Sequence, residues 1–534
     1  MPLVKAIIAA LIIGVFAFEI FRKHTNVRYR GLIAFAAAIC GYELLNRQNF
    51  GSVVFLIVIG FAVYAWVNWF VSLCALMVLM AFLNNADTPH GIAGIQGLNP
   101  WNLLMANVLL SWLLYRRRQG LQWDAPRYVK FLAFGLLFVV IWSYSRMLDD
   151  YQKLNVFNDS EDLKKAGYNF AWVTSEYLID CLKWVLPGII FYDACRARNR
   201  IAIALSFVLL LYFLIGIQVV KAMPLRAVTA TASELGRISA RDLRNNVGYF
   251  RTELSMMLSG ASWAILSCVV FVRRRKFQVL LIVAVGVVAL GQALTGGRSG
   301  YVTWGLTGLI VCILRWRRLL PVIPAAVLAI VVFMPAVMDR MLTGFGGEHG
   351  GVQTQTDLMA VSAGRVIAWS YVIPKIEQSP IIGYGRQAMV RENIYQQILA
   401  DTDGEESFPH PHNAYLEMLL DNGVFGFLLA MPLYFVLLFH SFSLLMDRSD
   451  PLFGAVGGTA CCLILGLMIA ALTSETFYPQ DSACGMWAAA GITLRVYMER
   501  KRSRETGEPL FGEYESDELI NMEEEPDLNF SPVG

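Results

Sequence analysis

The sequence is poor in charged residues. Only 16% of its 534 residues are Asp, Glu, Lys or Arg, whereas a soluble domain carries about 25%. Hydrophobic residues make up 56% of the chain, and they fall in runs long enough to cross a bilayer. These proportions exclude a soluble globular domain. They predict an all-α polytopic membrane protein.

The motifs of several common enzyme classes are also absent. The chain has no P-loop, no GxSxG and no HExxH. Its nine cysteines have no metal-ligand spacing and suggest no disulfide framework. The acidic residues within 401–406 could form a metal loop, but Gly404 is misplaced for an EF-hand, so a solvated acidic loop is favoured. We therefore expect no metal and no cofactor.

Basic clusters separate the apolar runs and indicate which loops face the cytoplasm. They are Arg22-Lys23 with Arg28 and Arg30, Arg116-Arg117-Arg118, Arg196–Arg200, Arg273–Lys276, Arg315–Arg318 and Glu499–Arg504. Counting the runs between them predicts about 13–15 transmembrane helices and a cytoplasmic C-terminus. The first run, residues 3–21, has no small-residue cleavage site, and we interpret it as a retained helix. The side on which the N-terminus lies is left open.

The expected organisation has five parts. They are N-terminal transmembrane helices in 1–200, further transmembrane helices in 201–337 with a basic outer loop at 221–252, a large outer loop at 338–411, a motif helix with C-terminal transmembrane helices in 412–498, and a cytoplasmic acidic tail in 499–534.

The outer loop 338–411 is too long for a simple connection. Apolar residues at helical spacing run from 358 to 378, and the segment 379–385 is typical of a turn. We predict a small helical cap over the membrane domain.

The C-terminal tail differs in composition from this loop. Residues 505–534 include ten acidic residues and no basic ones, which favours a disordered, solvated segment over a partner-binding one.

One histidine lies where this loop meets the next apolar run. Pro409 and Pro411 favour extended backbone before it, and Asn413 can cap a helix that starts after it. Residues 421–423 are typical of a turn that ends this helix. A helix N-terminus disfavours the imidazolium, so His412 would be neutral and able to accept a proton. A solvated loop histidine is the alternative.

Two arginines are candidates for binding an anion. Arg298 lies in a glycine-rich turn between two apolar runs, where an arginine is costly unless it is paired or faces a wet cavity. It could instead snorkel from a tight turn. Arg365 lies near the start of the predicted loop helix, four residues before Trp369. It could bind a ligand or stack on that indole as a structural cation–π pair.

A third basic group lies in the outer loop 221–252. Its positive charge is unusual there, because Lys and Arg are normally concentrated in cytoplasmic loops. Its candidate residues are Arg237, Arg241, Arg244 and Arg251. They suggest an anionic ligand such as a diphosphate or lipid head groups. The alternative is an amphipathic surface helix bound to anionic lipid.

The spacing around His412 resembles a family signature. His412 and Asn413 are followed by nine residues, Gly423, two residues and Gly426. This is similar to the motif of the O-antigen ligase and O-antigen polymerase superfamily of bacterial membrane glycosyltransferases. The turn around Arg298 and the stretch from Arg365 to the 380–385 turn match in order, over roughly residues 200–498. The extra N-terminal spans and the acidic tail depart from the family pattern.

The resemblance implies a GT-C-like, metal-independent enzyme at the periplasmic face of the inner membrane. Its donor would be a glycan on undecaprenyl diphosphate. Its acceptor would be a sugar hydroxyl, on lipid A core for a ligase or on a second lipid-linked repeat for a polymerase; some relatives glycosylate proteins. No nucleic-acid partner is expected, and the sugar, the linkage and the oligomeric state are left open.

The resemblance and the chemistry of the residues suggest the same roles. Arg298 and Arg365 would bind the diphosphate, because guanidinium groups can stabilise a dianionic leaving group without a metal. His412 would act as base on the acceptor hydroxyl, and Asn413 would orient it. The four arginines of the outer loop are weaker candidates for the same anion.

Two other classes of function remain possible on the sequence. A transporter or flippase for a lipid-linked anionic glycan would also place arginines in a membrane cavity. It would not need the His412 motif, and the paired broken helices typical of transporters are not evident. A structural membrane partner organised by the acidic tail is less favoured.

Overall fold

The computed structural model describes residues 50–85, 99–157, 169–229, 231–321, 331–342, 364–404, 407–473 and 476–511, together with 324, 328 and 362. The predicted first two spans, the acidic segment beyond 511 and part of the long outer loop lie outside these residues. The chain divides into two compact units. One comprises residues 1–122 with 245–248, and the other comprises residues 123–244 with 249–534.

The first unit contains three described helices, α1 (Phe50–Tyr64), α2 (Trp69–Met80) and α3 (Pro100–Arg118). The third packs against both others. Asn99 caps it by accepting a hydrogen bond of 2.8 Å from the Asn102 backbone N–H. Three arginines occupy its last turn, where positive charge complements the helix dipole.

The regular secondary structure of the second unit, over its described residues, is also helical. Its helices are α4 (Arg127–Met147), α5 (Phe170–Thr174), α6 (Asp180–Lys183), α7 (Leu186–Ala194), α8 (Arg198–Ala222), α9 (Ala232–Asn246, whose last two residues join the first unit), α10 (Arg251–Cys268), α11 (Arg275–Leu294), α12 (Arg298–Leu314), α13 (Pro335–Leu342), α14 (Arg365–Gln378), α15 (Ala388–Arg391), α16 (Ile394–Asp401), α17 (Ala414–Met446), α18 (Pro451–Ala470) and α19 (Cys484–Thr506). A π-helical turn, Ser175–Ile179, joins α5 to α6.

Five of the described helices are long and apolar enough to cross a membrane: α4, α8, α11, α17 and α18. Two shorter apolar helices, α2 and α12, add to them. The predicted all-α polytopic membrane class is therefore confirmed. The total of 13–15 spans stays a prediction, because several of the segments counted lie outside the described residues.

Small residues let the central helices approach closely. α18 packs between α10 and α17. A Cβ on Gly260 of α10 would lie 2.6 Å from the backbone oxygen of Cys462, so any larger residue there would force the two helices apart. Cys461 and Cys462 are both buried, as expected of packing residues. Close backbone approach through small residues is the usual basis of helix association in lipid.

Helix α17 is broken one third of the way along its length. Gly423 adopts φ 61° and ψ −170°, which frees the backbone N–H groups that follow it. Val424 and Phe425 donate these hydrogen bonds to the carbonyls of Pro380 and Ile381, at 2.8 and 3.0 Å. The predicted helix end at 421–423 located this break. However, the chain continues directly from the break into the membrane span. The carbonyls of the outer loop accept the hydrogen bonds that the break leaves without intrahelical partners.

The described part of the long outer loop forms the predicted helical body. Its helices α14, α15 and α16 share a small apolar core with the start of α17. That core contains Ala368, Val372, Ala388, Met389, Ile394, Ile398, Phe408 and Leu420. The expectation of a partly helical loop is thus confirmed. Residues 343–361 and 363 lie outside the described residues.

Candidate active site

The segment around His412 is held in a defined conformation. The Trp369 indole N–H of α14 donates to the Pro411 carbonyl at 2.9 Å, and the Ala414 N–H donates to the Ala471 carbonyl at 2.7 Å. The Asn413 side chain accepts from the backbone N–H groups of Tyr415 and Leu416, which confirms it as the cap of α17. Contacts on both sides therefore present His412 at a helix start.

The backbone of His412 is itself unusual. Its φ of 49° lies in the left-handed region, which is unfavourable for a residue with a Cβ. Such strain persists only where surrounding contacts impose it, and it is concentrated at functional sites. The half-buried placement of this side chain, beside a structured cap, argues against a solvated loop histidine.

Two imidazole rings lie side by side. The centroids of His410 and His412 are 4.0 Å apart, and the Phe408 ring contacts His412 edge-on at 5.9 Å. Burial, then the neighbouring His410 and Arg365, lower the pKa of His412 to about 3. Burial also lowers the pKa of His410, although the Glu417 carboxylate opposes this. At neutral pH His412 is therefore uncharged and can accept a proton.

Arg365 begins α14 immediately after Gly364, which has φ 76°. Burial, followed by repulsion from Arg298, lowers the pKa of Arg365 to about 10. Within the described ranges its guanidinium makes no ion pair and lies over no aromatic ring. The cation–π alternative with Trp369 is therefore not what the structure has, and the indole N–H of Trp369 donates to the Pro411 carbonyl.

Arg298 is the first residue of α12, and the turn before it is packed tightly against α10. The Ser255 hydroxyl donates to the Gly297 carbonyl at 3.3 Å. A Cβ on Gly300 would lie 1.7 Å from that hydroxyl oxygen, so the glycines of this turn are required by close packing. Arg298 is half-buried and lies within electrostatic range of Arg365, which in turn lies within range of His412. The fold thus groups these three residues, although more than a hundred positions separate the first from the last.

The four arginines of the basic outer loop are divided by the fold. Arg237, Arg241 and Arg244 lie on the exposed face of the amphipathic helix α9, where Arg241 pairs with Asp242 and Arg244 lies 4.1 Å from the Phe250 ring. This placement favours the surface-helix alternative for those three. Arg251 is half-buried at the start of α10 and lies within electrostatic range of Arg298.

Sequence reasoning missed Arg340. This residue of α13 donates to the Gly296 carbonyl at 3.3 Å and to the Ala232 carbonyl at 3.4 Å, so it lies directly behind the turn that presents Arg298. Arg251 and Arg340 converge over Gly236 of α9. The only signal in the sequence was a basic residue at the very start of the long outer loop.

Sequence reasoning also missed Arg386, which directly follows the 379–385 turn. Its side chain is only 5% exposed and lies 3.4 Å from the Tyr478 ring centroid. Its Nη1 atom is 3.9 Å from Glu417 Oε1, one helical turn beyond His412. Burial on its own lowers the pKa of Arg386, but Tyr478 and Glu417 outweigh that effect and raise it. A permanent positive charge therefore holds the Glu417 carboxylate near His410.

Metal ligands are not grouped anywhere in the part of the chain that the structure describes. No set of three His, Cys, Asp or Glu side chains is arranged there to hold an ion. Asp401 of the acidic loop accepts a hydrogen bond of 2.7 Å from the Tyr371 hydroxyl. Glu405 and Glu406 lie outside the described residues.

Taken together, these features define a multi-pass membrane protein in which two arginines lie within electrostatic range of each other, and one of them lies within range of a neutral histidine at a helix start. Comparison with known proteins shows what part of the chain is similar to. Residues 283–431 match the family model described as O-antigen ligase. The matched region contains Arg298, Arg365 and His412.

A curated relative supports the same family. A protein from Rickettsia conorii that carries the provisional name polysaccharide ligase is 32% identical over 77 residues. This match covers 14% of the present chain and 19% of the relative. The expected resemblance to the O-antigen ligase superfamily is thereby confirmed.

Proposed function

We propose that this protein is a glycosyltransferase that moves a glycan from undecaprenyl diphosphate to an acceptor hydroxyl. The observation that carries the proposal is the grouping of Arg298 and Arg365 with a neutral His412 in one half-buried site. The two guanidiniums stabilise the departing diphosphate, and His412 takes the proton of the attacking hydroxyl. Asn413 holds His412 at the helix start.

The proton and charge balance requires no further reactant. The acceptor oxygen forms a bond to the anomeric carbon as the bond from that carbon to the diphosphate oxygen breaks. His412 receives the proton of the acceptor hydroxyl, and the diphosphate leaves on its lipid carrier with the bonding electron pair. A bound dianionic diphosphate offsets the field of Arg365, which makes His412 more basic when substrate is present.

The type of transferase is tested by glycan analysis of a deletion strain. Single repeats that remain attached to the final acceptor, with long chains lost, would identify a polymerase. Full-length chains left on the lipid carrier would identify a ligase. Loss of the surface glycan, with lipid-linked precursor retained on the cytoplasmic side, would instead identify a flippase. Complementation with the wild-type gene is the control.

Transfer is expected to proceed without a divalent metal. The proposal assigns leaving-group stabilisation to guanidiniums, so EDTA should leave the rate of the purified protein within about twofold of the untreated rate. The measurement is transfer from undecaprenyl-diphosphate-linked glycan, with and without chelator. Activity that is lost in EDTA and restored by magnesium or manganese would contradict the mechanism and direct attention to Asp401 and Asp403.

The site is proposed to face the periplasm of the inner membrane. An Asp403→Cys variant should therefore react with an impermeant thiol reagent in intact spheroplasts. Glu505→Cys, at the opposite predicted side, should react only after lysis. The eight described native cysteines are buried, which keeps the background low. The reverse labelling pattern would invert the topology.

A further inference from the structure

Arg251 and Arg340 form an unusual pair close to Arg298. A Cβ on Gly236 would lie 2.8 Å from Arg340 Nη2 and 3.1 Å from Arg251 Nη1, so these two nitrogens are within about 6 Å of each other. A Cβ at this point of α9 would displace the Arg340 guanidinium and crowd that of Arg251. The two like charges are thus brought together by the fold.

Both side chains donate only to backbone carbonyls. Arg251 Nη1 donates to the Gly236 carbonyl at 3.2 Å, and Arg340 donates to the carbonyls of Gly296 and Ala232. Over the described ranges, no carboxylate pairs with either guanidinium. Repulsion between them is therefore not balanced by protein charge at hydrogen-bond distance.

The described arginines that are more deeply buried include several that pair with carboxylates. Arg495 binds Asp124 through two hydrogen bonds of 2.7 and 2.9 Å, and Arg391 pairs with Asp150. Arg500 pairs with Asp447 at 3.1 Å. Clustered cations in a low-dielectric setting are costly unless an anion accompanies them. The contrast indicates that the counter-charge at Arg251 and Arg340 comes from a ligand.

We propose that Arg251 and Arg340 form a second phosphate-binding subsite, beside the one at Arg298 and Arg365. The inference rests on the proposed function for its substrate class, a lipid-linked diphosphate. Two guanidiniums that face one space can bind phosphate oxygens bidentately. The phosphate has two possible sources. Either the donor diphosphate extends past Arg298 to this pair, or a second carrier-linked molecule binds here as the acceptor.

The test is binding of undecaprenyl diphosphate to the full-length protein in phosphatidylcholine nanodiscs, counted by native mass spectrometry. Arg251→Gln and Arg340→Gln should each weaken the affected binding about ten- to a hundredfold, the range for charge-assisted hydrogen bonds. Arg275→Gln, at an exposed arginine that begins α11, is the matched control. Affinity and stoichiometry equal to this control in both variants would overturn the proposal.

The number of bound molecules distinguishes the two sources. Two molecules per wild-type protein, falling to one in Arg340→Gln, would assign the subsite to a second carrier-linked substrate, as a polymerase requires. One molecule per protein, bound more weakly in both variants, would assign it to the donor diphosphate.

Two further measurements separate folding and proposed function from the inference. Arg340→Lys keeps a charge and a donor toward Gly296, so it should keep the wild-type melting temperature while binding with intermediate affinity. If undecaprenyl diphosphate does not bind at all, the proposed function fails, and inorganic diphosphate becomes the probe. Thermal stabilisation by inorganic diphosphate that is lost in Arg251→Gln, but kept in Arg275→Gln, would still support the subsite; equal stabilisation would overturn it.

Discussion

Replacing His412 by alanine is expected to slow glycan transfer by about a hundred- to ten-thousandfold, the usual contribution of a general base. Donor affinity should change little, because the imidazole acts on the acceptor hydroxyl and not on the diphosphate. Asn413, Trp369 and Ala414 hold the segment through contacts that do not involve the imidazole, so the variant should fold. Single-turnover rate and donor affinity are the measurements, with membrane levels checked.

His440 supplies the control for this experiment. It is buried in α17, and its Nε2 atom is 2.9 Å from the Tyr128 hydroxyl. His440→Gln keeps a polar partner for that hydroxyl and should retain transfer activity. Normal turnover in His412→Ala would remove the base assignment. Weakened donor binding in that variant alone would move His412 to the diphosphate.

The same assignment predicts the acid limb of the pH profile. The pKa of His412 is lowered to about 3, first by burial and then by His410 and Arg365, so the neutral base persists until the pH falls toward that value. The pH dependence of kcat/KM reports the pKa values of the free enzyme. The part of kcat/KM that depends on His412 should therefore fall only well below pH 6.5. Removing the positive charge in Arg365→Gln should shift this limb to higher pH. An acid limb near pH 6.5 in the wild type would contradict the buried, neutral imidazole.

Lysine is expected to be a poor substitute for either site arginine. Arg298→Lys and Arg365→Lys should each reduce transfer by roughly a hundred- to a thousandfold, comparable to removing one charge-stabilising donor from a catalytic site. Lysine keeps the charge, but it loses the planar fork that matches two phosphate oxygens. Both donor affinity and single-turnover rate should fall, which distinguishes these variants from His412→Ala.

The folding of these variants can be separated from their chemistry. Arg365 makes no ion pair within the described ranges, so its replacement leaves no carboxylate there without a partner. Arg275→Lys, in an exposed basic cluster, is the control and should transfer at the wild-type rate. Full activity in both site variants would show that charge alone suffices and would argue against bidentate binding of the diphosphate.

The amino-acid sequence was sufficient for the features that depend on neighbouring residues. Low charge and long apolar runs determine the membrane class, because the cost of burying charge in lipid acts on each segment separately. The helix start at Asn413 follows from a side chain that reaches backbone N–H groups two and three residues ahead. The position of the break near Gly423 also follows from local turn chemistry, although the carbonyls that accept hydrogen bonds from the freed N–H groups do not.

Tertiary structure alone determined which of these residues meet. The carbonyls of Pro380 and Ile381 reach the break at Gly423 because the loop segment 379–386 packs beside α17. Arg251 is half-buried near Arg340, whereas Arg237 is exposed on α9. The sequence shows both simply as basic residues of one loop and does not distinguish them. Arg386 and Arg340 escaped notice because their partners are distant in sequence. Local propensities act over a few residues, whereas the grouping of charges depends on packing among helices that are far apart along the chain.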